Sequence, residues 1–474
     1  MNAILISVVG IIAVAILIYM LLKKNDIKMT LLGLGIVLMY IAILVGNKIK
    51  VSTPTGTALL DPFQAVVDQF SNTLVGPGFV ILILGGYSAY MSHIGANQVT
   101  VHALTKPIAK IRSVYILIPI VFLIGNLLSL VIPSASNLAI ILLATLYPVL
   151  RAAGMSRLSA AAVIGTSATI VPTPLGSDNV AIAAQLHMTV TDYVFKSHAL
   201  VSIPTLLAIA IVHYLWQKHE DKRQPETLTY ADELTQNSDG KAGEAVEDVT
   251  HHGFMAFIYG LLPLLPIVLL LVIFFLNLVI GTKLNMSVQM VTLISFVVAV
   301  FVELLAKRKA QAVLKETGTF FTGMGDVMSI VALLVAAQTF VQGLTSLGII
   351  NLIQNAMQNM SGSGIILPII MVLFTAVIVL LSGSGTALVF AMIPLIIPLS
   401  KAAGIDPVAL SIPMQLAGNL LRAVSPVAAV VLIVAGTTKL SPIQIVKRTS
   451  VPMIFGVVMM LVMSLISFKR GPEQ

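Results

Sequence analysis

Apolar runs long enough to cross a bilayer recur along this chain, and they constrain its fold more than any other feature. A helix needs ~20 mostly apolar residues to span the hydrocarbon core. Segments such as 3–22, 29–47 and 287–306 meet that need with almost no charge. Barrel strands would instead be ~10 residues of alternating character. Composition agrees: 58% of the residues are hydrophobic and only 10% are charged, against ~25% in soluble domains. Soluble enzymes, nucleic-acid binders and disordered chains are excluded, which leaves an all-α integral membrane protein. The net charge of +8 reports topology, because most basic residues lie between apolar runs. There is no cysteine, so thiolate and disulfide chemistry are absent.

The first 22 residues read as a span and not as a cleaved leader. They have no basic n-region, the apolar run is too long, and no small-x-small site precedes Lys23-Lys24. The spans are expected at 3–22, 29–47, 78–96, 158–188 (broken), 197–216, 253–281, 287–306, 327–350, 407–436 (broken) and 450–468. Two further apolar pairs, 113–153 and 365–403, read either as full spans or as re-entrant hairpins. Their tips, 133–137 and 382–386, carry no charge, which favours hairpins. Segment 217–252 holds nine of the 19 acidic residues, among them Glu220, Asp221, Glu247 and Asp248. It reads as a cytoplasmic acidic linker.

The linker divides two related halves, 1–216 and 253–474. Pro148-Val-Leu-Arg-Ala-Ala-Gly154 matches Pro398-Leu-Ser-Lys-Ala-Ala-Gly404, and Ile94-Gly95 matches Leu347-Gly348. The base of the first hairpin carries Lys106, Lys110, Arg112, Arg151 and Arg157 without an acid, whereas the base of the second holds only Lys401 and Asp406. The positive-inside rule then puts equivalent elements on opposite faces, so the repeat is expected to be inverted. Lys48, Lys50 and Lys469-Arg470 fall on the outer side under this topology.

Non-helical backbone at membrane depth must be buried in protein or line a wet cavity. The chain offers two tips, around Ser134, Ser136, Asn137 and around Ser384, Thr386. It also offers two breaks, 171–179 and 417–426. Each precedes a new helix, with caps expected from Ser134 or Ser136, Ser384 or Thr386, Asp178 or Asn179, and Ser425 before Pro426. Four helix N-termini would then face one another and suit an anion. Arg422, inside the second break, needs a partner or a cavity, and its planar fork matches a carboxylate. Thr173, Asn419 and Ser425 complete the expected substrate set. Asp178, with Ser177 and Asn179, is assigned to a coupling cation or proton, or to a cap. Gly323-Met-Gly325-Asp326 spells the motif of intramembrane aspartyl proteases. No second aspartate accompanies it, and Asp326 is read as lying at the start of span 327–350. His93 reads as an interfacial residue and Gly85-Gly86 as a helix contact.

The motifs 90–97 (Tyr-Met-Ser-His-Ile-Gly-Ala-Asn), 144–148 (Ala-Thr-Leu-Tyr-Pro), 382–385 (Ser-Gly-Ser-Gly), 419–426 (Asn-Leu-Leu-Arg-Ala-Val-Ser-Pro) and 445–452 (Ile-Val-Lys-Arg-Thr-Ser-Val-Pro) together resemble the anaerobic C4-dicarboxylate carrier family of the DcuC type. The resemblance covers nearly the whole chain. It implies the architecture of the wider ion transporter superfamily: about ten spans plus two re-entrant hairpins in two inverted repeats, a dimerising scaffold and elevator-like movement. It also implies succinate, fumarate, malate or aspartate as substrates, carried by exchange or by efflux, in a bacterial cytoplasmic membrane. The implied partners are the dicarboxylate, the bilayer and a second copy of the chain, with no nucleic acid. No cofactor is implied beyond a proton or sodium as coupling ion. The superfamily's Ser-Asn-Thr tip signature is only partly kept, as Ser136-Asn137-Leu138 and Ser384-Gly-Thr386. The competing readings are a carrier of another carboxylate or amino acid, a channel, and an intramembrane enzyme. The enzyme is disfavoured by the lack of a paired acid, a cysteine or a Ser–His set.

Overall fold

A computed structural model of the chain describes residues 3–23, 25–106, 108, 113–225, 253–282, 284, 286–358 and 363–468. Of the residues used above, Lys24, Lys110, Arg112, Lys469-Arg470 and linker residues 226–252 lie outside this set. All regular structure among the described residues is helical. Eleven helices are long and apolar enough to cross a membrane. Two of these, Gly364–Ser382 and Gly385–Ala403, are the arms of the second expected hairpin. Setting them aside, and adding the broken pair Arg157–Gly165 and Ser177–Gln185, gives the ten expected spans.

Several boundaries differ from the sequence reading. The span expected at 327 starts at Gly318 and runs to Leu347. The last begins at Pro442, where Ser441 and Gln444 close a capping box. The span expected to end at 216 continues to Arg223, so residues 217–223 are helix and not linker. Helices Asp61–Thr73, Ala96–Thr105, Ala310–Glu316 and Ile349–Gln358 were not anticipated, because they are short and only partly apolar.

Several local features recur in the two halves at a similar spacing. Span Phe79–His93 turns at Gly95 into Ala96–Thr105, and Gly318–Leu347 turns at Gly348 into Ile349–Gln358. Gly95 and Gly348 share positive φ (76° and 89°), as do Gly154 and Gly404 (89° and 64°), and His187 and Lys439 (56° and 53°). Ser156 and Asp406, also 250 residues apart, both cap the broken spans by accepting a backbone N–H.

Two groups of helices result. One comprises Ile27–Leu44, Asp61–Thr73, Phe79–His93, Val288–Lys307 and Gly318–Leu347, which pack together. The backbones approach closely at glycines. A Cβ at Gly323 would lie 2.3 Å from the Ala89 Cβ, and one at Gly35 would lie 2.7 Å from the Thr339 carbonyl. The other group holds both hairpins, both broken spans, and the helices Ala199–Arg223 and Pro442–Ser467, which pack on each other. Here a buried polar chain ties the elements. Arg448, 3% exposed, pairs with Asp221 at 2.7 Å. Its carbonyl accepts from Gln217, which neighbours His213, whose ring meets the Thr166 hydroxyl at 3.1 Å.

Candidate functional site

The second broken span runs 15 residues, Pro407–Leu421, or ~22 Å at 1.5 Å per residue, before it is interrupted. Its break therefore lies well inside the bilayer. A short turn, Arg422–Val424, follows, and the helix resumes at Ala429 with Ala428 at the N-cap. Ser425 does not cap it. Its hydroxyl, fully buried, donates instead to the Leu380 carbonyl of the second hairpin at 2.9 Å. In the first break the helix restarts at Ser177 with Gly176 at the N-cap. Asp178 and Asn179 thus sit in its first turn and do not cap it.

Each tip meets the break of its own half. A Cβ on Gly385 would fall 2.0 Å from the Gly418 carbonyl oxygen, and one on Gly383 would fall 2.8 Å from the backbone of Val427 and Ala428. In the first half, Thr173 donates to the Leu130 carbonyl at 2.9 Å, and the Asn126 side-chain oxygen Oδ1 accepts from the backbone amides of Thr169 and Ile170 at 3.1 Å. The polar ends of both pairs therefore lie beside the breaks. The halves also interlock. Ala135–Thr145 packs on Ala429–Thr438, and Gly385–Met392 packs on Ser177–Gln185.

These contacts enclose a cavity of about 600 Å³. Its floor is made by four helix N-termini: Ser134, Ser136 and Asn137; Ser177; Ser384, Gly385 and Thr386; and Ala428–Val430. Ser134 caps its helix, its oxygen accepting from the Asn137 amide. Ser384 occupies the N-cap without a side-chain bond. Helix N-termini present donor N–H groups and partial positive charge. Arg422 adds a full charge. One of its terminal nitrogens donates to the Ala168 carbonyl of the first break, and its buried Nε has no partner. The opposite wall comes from the other helix group, through Gly85, Ser88 and Ser92 and through Gly323 and Asp326. Among the described residues, Asp326 and Arg422 are the only charged ones lining the cavity.

Seven of the twelve expected site residues line this cavity: Ser134, Ser136, Asn137, Ser177, Ser384, Thr386 and Arg422. The other five lie behind it. Asp178 accepts from Gln415 at 2.8 Å and Asn419 at 3.2 Å through one oxygen, and from the Asn179 amide through the other. Asn179 donates to the carbonyls of Val171 and Thr173, holding the break open, and accepts from Gln415. Tyr193 donates to Gln415 in turn, at 2.8 Å. The Thr173 and Ser425 hydroxyls are occupied by the hairpin carbonyls described above.

Sequence reading missed Asn126, Gln415 and Tyr193. For Asn126 and Gln415 the available signal was an amide inside an otherwise apolar stretch, which at membrane depth requires a partner; Tyr193 offered none. Asp326 was also misjudged. It lies nine residues into its helix, exposed to the cavity, and not at a span start. Chemically, donors from four backbones and one guanidinium face the cavity from one side and the Asp326 carboxylate from the other.

The family described as C4-dicarboxylate anaerobic carrier, DcuC, matches residues 5–469. The anaerobic C4-dicarboxylate transporter DcuC of Escherichia coli K12 is 33% identical over 433 residues, covering 90% of this chain and 89% of the relative. A probable transporter of the same name from Vibrio cholerae is 32% identical over 436 residues, covering 91% of each. Among solved structures, Neisseria gonorrhoeae MtrF, described among antimetabolite efflux pumps, superposes with a TM-score of 0.62 at 15% identity over 94% of this chain and 96% of its own. The Alcanivorax borkumensis YdaH transporter gives 0.65 at 15% identity over 93% and 98%. The last two establish a shared membrane-transporter fold.

Proposed function

The chain belongs to the C4-dicarboxylate anaerobic carrier family, and from that premise we propose that it is a secondary transporter of C4-dicarboxylates such as succinate, fumarate, malate or aspartate. It works in a bacterial cytoplasmic membrane by exchange or by cation- or proton-coupled movement. The observation that carries this reading is the convergence of Arg422 and four helix N-termini on one cavity. A C4-dicarboxylate has two carboxylates, and charge-assisted hydrogen bonds from preorganised donors are the strong ones. Arg422 takes one carboxylate through its free guanidinium edge. The tip N-termini, with Ser136 and Thr386, take the other.

Asp178 and Asn179 behind the cavity, with Ser177 on its lining, serve the coupling ion, a proton or sodium, and no other cofactor is required. The repeat is inverted, with both termini outside and residues 217–252 in the cytoplasm. Alternating access arises as the group bearing both tips and both breaks moves against the other, which serves as scaffold and as the surface of a homodimer. The recurring local features and the separation into two helix groups support this mechanism.

Counterflow of labelled succinate in proteoliposomes, with a panel of unlabelled acids and with and without sodium and a pH gradient, tests the function. Competition by C4-dicarboxylates is expected, and competition by monocarboxylates or neutral amino acids alone would overturn it. A reversible crosslink between cysteines at Leu138 and on Ile27–Leu44 should stop transport. Full transport with the crosslink formed would remove the proposed movement.

A further inference from the structure

Asp326 ends the run Gly323-Met-Gly325-Asp326 and takes no part in the contacts that hold the cavity together. Its backbone carbonyl accepts from Ser329. Among the described residues, its carboxylate forms neither an ion pair nor a hydrogen bond. Yet it stands ~12 Å from the start of Gly318–Leu347, where an ionised group calls for a partner. The backbone around it is fixed. A Cβ on Gly323 would lie 2.8 Å from the Gly85 carbonyl oxygen, and one on Gly85 would lie 2.4 Å from Val327 Cγ2. The helix cannot turn Asp326 away from the cavity without breaking that contact.

The cavity lining therefore carries three charged regions. Arg422 and the four helix N-termini stand on one side, and the Asp326 carboxylate stands on the facing wall. A plain dicarboxylate answers the first two and is repelled by the third. A dicarboxylate that also bears an α-ammonium answers all three. We infer that Asp326 is a specificity-determining residue, which takes the ammonium of an α-amino C4-dicarboxylate while Arg422 and the tips hold its two carboxylates. The inference deepens the proposed function and rests on it. Among the acids proposed as substrates, it selects aspartate over succinate, fumarate and malate.

An ammonium suits this wall better than a bare metal cation does. Hard cations take several oxygen ligands, and among the described residues no group of three or more acids or histidines could hold a metal ion. Ser88 and Ser92 share the wall with Asp326, and the Ser92 hydroxyl already accepts from Asn97 at 2.7 Å. An ammonium needs acceptors on one side only, because the rest of its molecule fills the other. Malate gives the sharpest comparison. It has the shape of aspartate with a neutral hydroxyl in place of the ammonium, so the two differ at Asp326 in charge and hardly in bulk.

The test measures binding of L-aspartate, L-malate and succinate to the full-length protein, by calorimetry in detergent and by competition in counterflow. Wild-type protein should bind aspartate about tenfold more tightly than malate, because one charge-assisted hydrogen bond separates them. Asp326→Asn should weaken aspartate about tenfold and leave malate and succinate unchanged or tighter. Asp326→Glu keeps the charge and should keep the preference. The Asp326 side chain holds nothing in the fold, so both variants are expected to fold, with a monodisperse elution profile as the check. Wild-type protein without a preference for aspartate over malate would overturn the inference with no variant needed. So would an Asp326→Asn protein in which both acids shift by the same factor. Loss of sodium or pH dependence with the preference intact would overturn it too, by giving the acid to the coupling ion. Failure of all three acids to bind wild-type protein would instead overturn the functional reading itself.

Discussion

Replacing Arg422 separates binding from support. The guanidinium does two things at once: one terminal nitrogen holds the Ala168 carbonyl of the first break, while Nε is buried without a partner beside the cavity. A bound carboxylate would be met by this second edge. A hydrogen bond to a charged group contributes ~1.5–3 kcal/mol net, so its loss should weaken succinate binding ~10–100-fold. Arg422→Lys keeps the charge, but a single ammonium cannot hold the carbonyl and also present a planar fork. It should therefore lose nearly as much affinity as Arg422→Ala. The Ala168 contact predicts a separate loss of stability in both variants, which a melting curve in detergent would register. The assay is succinate affinity by calorimetry or counterflow on monodisperse protein. Wild-type affinity in both well-folded variants would refute the reasoning, leaving Arg422 as a strut and the anion held elsewhere.

Asp178→Asn should fold but be destabilised by about 1–3 kcal/mol, because an amide cannot accept from Gln415, Asn419 and the Asn179 backbone at once. It should also lose the sodium or pH dependence of uptake, and unchanged ion dependence would reduce Asp178 to a structural acceptor. Gly385→Ala should abolish transport while leaving the protein in the membrane, since the new methyl would fall 2.0 Å from the Gly418 oxygen and push the tip off the break; normal transport rates would show that the tip need not sit there. Arg448→Met should keep substrate affinity but lower the melting temperature, because it strands Asp221 in a 10% exposed site; breaking such a pair costs ~3–5 kcal/mol. A single cysteine at residue 240 should resist an impermeant reagent added outside right-side-out cells, and its labelling would overturn the assigned topology.

The parts of the fold that lipid dictates were legible in the sequence. A span must be apolar for its whole length, and an interruption by Pro172, Pro174 and Asp178, or by Asn419, Arg422 and Pro426, has few explanations at that depth. The tips were legible for the same reason, as small polar residues between uncharged arms. The direction in which each polar side chain points was not. Thr173 and Ser425 look like cavity hydroxyls in the sequence, but carbonyls 43 and 45 residues away take them. Gln415 meets its acceptors 236 and 237 residues away, beyond the reach of local pattern. Asp326 was misplaced because its helix starts before the apolar run does, in the stretch from Gly318 that carries Thr319 and Thr322.

Between Asp61–Thr73 and Phe79–His93 the backbone leaves the helical region at Gly76 (φ −87°, ψ −116°), with Pro77 next to it, so the chain kinks there. Each residue of an α-helix advances the side chains by about 100°, but that register is not inherited across a kink, and the kink itself sets which way the earlier helix faces. In Asp61–Thr73 this matters, because the helix has two distinct faces. Phe63 and Val67 are more than half exposed, as suits a lipid-facing stripe, while Gln64 and Asp68 bond to each other and Gln69 reaches Gln342. Forcing Gly76 into helical geometry would turn both faces at once. A change at one glycine that removes no polar group would then act like a polar-to-apolar exchange along an entire helical face.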